Sequence, residues 1–145
     1  MEYFNFTICD IISQLEQNEK LGDITFMSEY PAKDKPTPID HVYVTVGFAG
    51  VKITKKSFAD YIGELSGEQI KGRQAYLELK FRIYSPRTQG GEGCMDVFSN
   101  ICEELLFGKS KYFMDDAECK KMSYDIQTSS IVLEASIKFN VFLKV

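Results

Sequence analysis

Arg73–Leu106 reads RQAYLELKFRIYSPRTQGGEGCMDVFSNICEELL, and the change of period inside it decides the fold class. Up to Ser85 the chain alternates. Ala75, Leu77, Leu79, Phe81 and Ile83 fall on one side, and Gln74, Glu78, Lys80 and Arg82 fall on the other. One dry face and one wet face is the pattern of an antiparallel strand packed on a single side. Pro86 ends the run, and Gly90, Gly91 and Gly93 follow. From about residue 92 to 107, Met95, Phe98, Ile101, Cys102, Leu105 and Leu106 recur at three and four, which is helical spacing.

Strand, glycine turn and helix in that order is also the plan of a phosphate loop. The spacing here does not fit one. A dinucleotide fingerprint needs glycines at i, i+2 and i+5, whereas these stand at 90, 91 and 93. A Walker loop needs GxxxxGK[ST] ahead of a helix. The triplet Gly108-Lys109-Ser110 follows the helix instead, and Glu103 stands where the first glycine belongs. A phosphate there would meet the helix C-terminus, whose dipole has the wrong sign, and Glu92 would repel one at the glycines. The glycines are therefore expected to form a flexible turn, with Gly108 as the C-cap of the helix.

Outward from this stretch, residues 5–18 carry Ile8, Ile11, Ile12 and Leu15 on one helical stripe, with Asn5 or Thr7 as a cap. Residues 23–30 alternate as a half-buried strand. PAKDKPTPID, 31–40, holds three prolines and reads as an exposed loop. Residues 41–56 alternate through Val42, Val44 and Val46, while Gly47 and Gly50 suggest a bulge or a bend. Residues 57–72 read as a connector, and a weaker strand is expected around 111–127. The last stretch, 129–145, places Ile131, Leu133, Ala135, Ile137, Phe139, Val141, Leu143 and Val145 on one face. At about 3.3 Å per residue it would reach roughly 50 Å, so it bends or leaves the domain to meet a partner. The sum is a single domain over 1–145. Its expected class is α+β, a two-layer sandwich with a mainly antiparallel sheet of four to five strands covered by two helices.

Composition sets limits on function. The 145 residues suffice for one core. There is no run of eighteen apolar residues, and the N-terminus is too polar for a secretory signal. A net charge of −4 argues against a sequence-reading nucleic-acid binder. Cys9, Cys94, Cys102 and Cys119 form no CxxC pair, so no metal site is expected and the thiols read as reduced and buried. His41 is the only histidine and reads as a strand-start residue. Asp115, Asp116 and Glu118 lack EF-hand spacing and read as a solvated loop or strand edge. Lys52, Lys55 and Lys56, with Lys71 and Arg73, flank the connector without interleaved aromatics, and suit a solvated face or a charged subunit contact. No catalytic, metal or cofactor residues emerge, which points away from an enzyme.

The layout resembles the tail terminator, or tail completion, proteins of tailed bacteriophages, and the collar proteins of contractile phage-tail-like bacteriocins. The resemblance rests on the order of DITFMSEYPAKDKPTPIDHVYVTVGFAGVKI, GRQAYLELKFRIYSPRTQGGEG, CMDVFSNICEELLF and IQTSSIVLEASIKFNVFLKV. It implies a non-catalytic structural protein without cofactors, located in a virion or phage-tail-like particle and assembled in the bacterial cytoplasm. Its copies would form a ring, usually a hexamer, on the head-proximal end of the tail tube. The ring stops tube polymerisation and offers a docking surface to the neck and, in contractile systems, to the sheath. Expected partners are further copies of the chain, the tube protein, the sheath protein and a neck or connector protein, with DNA only as passing cargo and no membrane. A head–tail connector or neck protein is the alternative role, and phage and headless bacteriocin stay equally open. The residues expected to meet neighbours are Pro36, Pro38, Lys55, Lys56, Arg73, Arg87, Gly90, Gly91, Phe139 and Phe142.

Overall fold

The structure is a computed structural model and describes residues 2–29, 39–53, 61–108 and 112–144. Helix α1 spans Glu2–Glu16, followed by a 3-10 turn at Glu19–Leu21. Strand β1 is Thr25–Ser28 and β2 is Tyr43–Ile53. Strands β3, Tyr61–Leu65, and β4, Glu68–Pro86, form a hairpin. Helix α2, Gly90–Phe107, is followed by β5, Phe113–Asp125, and β6, Ser130–Lys144. The sheet order is β1-β2-β4-β6-β5, with β3 paired to β4 off that path. Every described pairing is antiparallel except β1 with β2.

The α+β class and the mainly antiparallel sheet follow the expected pattern. Both helices contribute to one core. Ile8, Ile11 and Leu15 of α1 and Cys94, Val97, Ile101 and Leu105 of α2 join the inner face of β4 and β6. The alternating residues Ala75, Leu77, Leu79, Phe81 and Ile83 are all sealed from solvent. Period two is thus the direct record of a strand with a helical layer on one side and water on the other.

Four details depart from the expectation. Helix α1 starts before Asn5 and Thr7, so neither caps it, and Thr7 is buried within it. Residues 61–72 of the expected connector are a β-hairpin, turned by Ser66 and Gly67, both at positive φ. That two-residue turn of mirror-image type matches the twist of the strands it joins. β6 does not leave the sheet: it pairs with β4 without interruption from Ser130 to Lys144, and with β5 from Ser130 to Asn140. Last, β1 is not half-buried. Phe26 enters the main core while Met27 turns to the other face, where it packs with Ile39, Tyr43 and Tyr84. The bulge expected near Gly47 and Gly50 is present, as a register shift between Phe48 and Gly50.

Candidate interaction surfaces

The outer face of the sheet, opposite the helices, carries the largest set of paired charges. Glu29 follows β1 directly, and its backbone N–H donates to the Val46 carbonyl at 2.8 Å. Its carboxylate is largely buried and meets Lys80 Nζ at 3.4 Å and Arg82 Nη1 at 3.5 Å. Arg82 Nε in turn lies 3.5 Å from Glu134 of β6. Gly47 makes room for this arrangement. A Cβ there would overlap the Glu29 carboxylate and come within 2.8 Å of its Cβ. Further along, Glu78 accepts from the Ser136 hydroxyl at 2.6 Å and from Lys120 at 3.4 Å. Those two donors, the hydroxyl first, hold the Glu78 carboxyl below its ordinary pKa. A hollow of about 470 Å³ lies beside Gly50 on the same face, between Lys52, Tyr76, Glu78 and Lys138.

The glycine stretch is the start of α2 and not a flexible turn. Gly90 stands at φ +66, where a side chain would be strained. Gly91 lies so close to Met122 of β5 that a Cβ would sit 2.7 Å from its sulfur. Gly93 leaves room for Ser85 and Gln89. The glycines therefore let the first turn of α2 settle onto β5 and the end of β4. Gly108 does cap α2, donating its N–H to the Glu104 carbonyl at 2.8 Å, but with extended backbone. It is glycine because a Cβ would strike that carbonyl and the Gln14 side chain.

The 3-10 turn after α1 is tied to α2 at this end. Asn18 donates to Glu104 at 2.8 Å and Lys20 pairs with Glu103 at 3.1 Å. Beyond the tie, Leu106 and Phe107 are exposed, Phe107 to 83%. Towards the opposite end of α2 Met95 is exposed, and so are Met122 and Tyr124 of β5 and Ile126 just after it, a second set of exposed apolar side chains. The charges Asp115, Asp116 and Glu118 lie on β5, the strand edge named as one of two expectations for them.

The thiols divide differently from expectation. Cys94 is buried and Cys102 half-buried, but Cys9 and Cys119 are exposed. Burial, with Cys119 as a lesser influence, pushes the Cys102 thiol up to about 11. His41 stands just before β2. Its Nε2 is 2.6 Å from the Thr25 hydroxyl, its Nδ1 is 2.7 Å from Asp40, and its ring stacks on Tyr43 at 4.3 Å. It joins the starts of β1 and β2. No group of three or more metal-ligating side chains occurs among the described residues. No helix among them is long and apolar enough to cross a membrane.

The expected contact residues do not gather into one site. Pro36, Pro38, Lys55 and Lys56 lie outside the described residues. Arg73 and Phe142 sit in adjacent strands at one end of the sheet, opposite Leu143 and Gln74, and their side chains also lie outside what is described. Arg87 is exposed at the other end with Gly90 and Gly91, roughly 45 Å away along β4. Phe139 is corrected: it is fully enclosed in the core, edge-on to Tyr112 at 6.5 Å, and presents nothing to a neighbour. Glu29, Gly47, Phe107 and the apolar group on β5 were missed. Only a glycine between two apolar strand positions hinted at the first pair.

No family model matches the chain, and no curated protein matches it. Among solved structures, one similar chain belongs to the virion of a native gene transfer agent particle. It superposes with a TM-score of 0.52 at 9% identity, over 91% of each chain. Another is the bacteriophage SPP1 gp17 protein, with a TM-score of 0.46 and 15% identity over 91% of this chain and 86% of that one. At 9% identity the likeness to the virion chain is one of fold.

Proposed function

We propose that the chain is a structural component of a phage or phage-like particle, and within it a tail terminator: a ring, of six copies, seated on the head-proximal end of the tail tube. The observation that carries this reading is the fold shared across nine-tenths of both chains with a chain of a virion particle. This is an argument by fold and is tested as one. The sequence layout supports the same reading independently. Two physical features suit an assembly role. Among the described residues β3 packs mainly on β4, and a two-stranded arm has little stability until something packs on it. Exposed apolar groups lie at both ends of α2, and a head-to-tail ring needs two unlike surfaces on each subunit.

On this reading the copies meet one another, the tube protein and, where present, sheath and neck proteins. DNA passes through, and no chemistry is performed. Mixing the chain with purified tail-tube protein tests it: tubes should stop growing and carry a ring at one end in electron micrographs. A protein that ignores tubes but binds a portal or neck protein would mark the connector role instead.

A further inference from the structure

We propose that two copies of this chain associate through their β5 edges, antiparallel, about a two-fold axis at Glu118. The inference does not rest on the ring reading. β5 is the last strand of the sheet, and none of the described residues pairs with its outer edge along Phe113–Asp125. Among the described residues these thirteen form an unpaired edge, and unpaired N–H and C=O groups template another strand. Charge on an edge repels a second copy only where like charges meet, and here they are ordered. Asp115, Asp116 and Glu118 precede Lys120 and Lys121. Antiparallel pairing centred on Glu118 sets Asp116 opposite the partner's Lys120 and Asp115 opposite the partner's Lys121, and does so twice.

The faces agree with this register. Opposed residues in an antiparallel pair share a face. Ala117 and Cys119 both lie on the helix side, opposite Ile137 and Ala135 of β6. Asp116 lies on the outer side, opposite Lys138, and Lys120 reaches Glu78 there. The register shifts of β5 fall at Asp115 and Lys120, leaving 116–119 regular at the centre. Met114 comes opposite the partner's Met122, drawing part of the exposed apolar group into the contact. Glu118 opposite itself is unfavourable, and each ion pair includes a residue at a register shift, Asp115 or Lys120, the latter shared with Glu78.

The test is the mass of the full chain in solution at low salt, by sedimentation velocity. The wild-type chain should contain an even number of 16.6 kDa copies. D115K and K121E should each halve the mass, and the double exchange D115K/K121E should restore it. E118Q should tighten the association roughly two- to fivefold by removing the like-charge pair. Circular dichroism confirms that each variant is folded. A folded D115K or K121E that keeps the wild-type mass would overturn the proposal. So would a wild-type chain with an odd number of copies, or a double exchange that does not restore the mass. Failure of the ring reading leaves a different trace: it is read from the capping of tubes, whereas the halving on D115K is read from the free chain in solution.

Discussion

Replacing Gly47 by alanine adds one methyl group on the outer face of the sheet, where glycine is present to admit Glu29. The new Cβ would overlap the carboxylate and stand 2.8 Å from the Glu29 Cβ. Glu29 must swing away, losing Lys80 at 3.4 Å and Arg82 at 3.5 Å. Both cations are about one-third exposed, 31% and 34%, so each pair is discounted toward the value of a surface bridge, on the order of 0.5–1 kcal/mol. With the crowding added and the usual strand gain of alanine over glycine subtracted, the net loss is about 2 kcal/mol. For a chain of this size that lowers the melting temperature by roughly 4–8 °C. The informative measurement is the cycle with Glu29→Ala. In that background the carboxylate is gone and only the Cβ contact remains, so Gly47→Ala should cost less than half as much, a coupling on the order of 1–2 kcal/mol. Equal losses of melting temperature in both backgrounds would refute the link between Gly47 and the Glu29 cluster.

Three further outcomes are expected. Phe139→Ala should cost about 3–5 kcal/mol in chemical denaturation, because the ring is wholly enclosed, whereas a contact-only role would leave stability unchanged. Ser136→Ala should weaken the acid resistance that Glu78 confers. A carboxyl held below its ordinary value stabilises the fold above its unfolded pKa and loses that contribution as the pH falls through its folded pKa. The variant's acid midpoint should therefore move to higher pH, and an unmoved midpoint refutes the assignment. In alkylation at pH 8, exposed Cys9 should react before Cys102, whose thiol is pushed up to about 11, and mass-mapped labelling that finds Cys102 first would contradict its burial.

What could be read from the sequence follows from where the physics is local. β4 and β6 announced themselves because one face of each packs into the helix-side core while the other is largely polar, so the period survives in Ala75–Ile83 and Ile131–Val141. The 61–72 hairpin did not, although Ser66-Gly67 is a turn dipeptide, because glycines at 63, 67 and 72 blur the alternation. The parallel pairing of β1 with β2 was hidden for another reason: a four-residue strand that buries both Phe26 and Met27 has no period to show. The glycines at 90, 91 and 93 were recognised as a boundary but misread as slack. Their purpose depends on Met122, Ser85 and Gln89, and Met122 is thirty residues away from them in the chain. Phe139 fell on the strand expected to meet neighbours, and only the register of β6 between β4 and β5 reveals that it is enclosed.

The most direct measurement is electron microscopy of tail-tube protein polymerising with and without this chain. The account expects shorter tubes, each ending in a ring built of copies of the chain, and no growth from the capped end when tube protein is replenished. Tubes that lengthen unchecked, with the chain left unbound in solution, would contradict it.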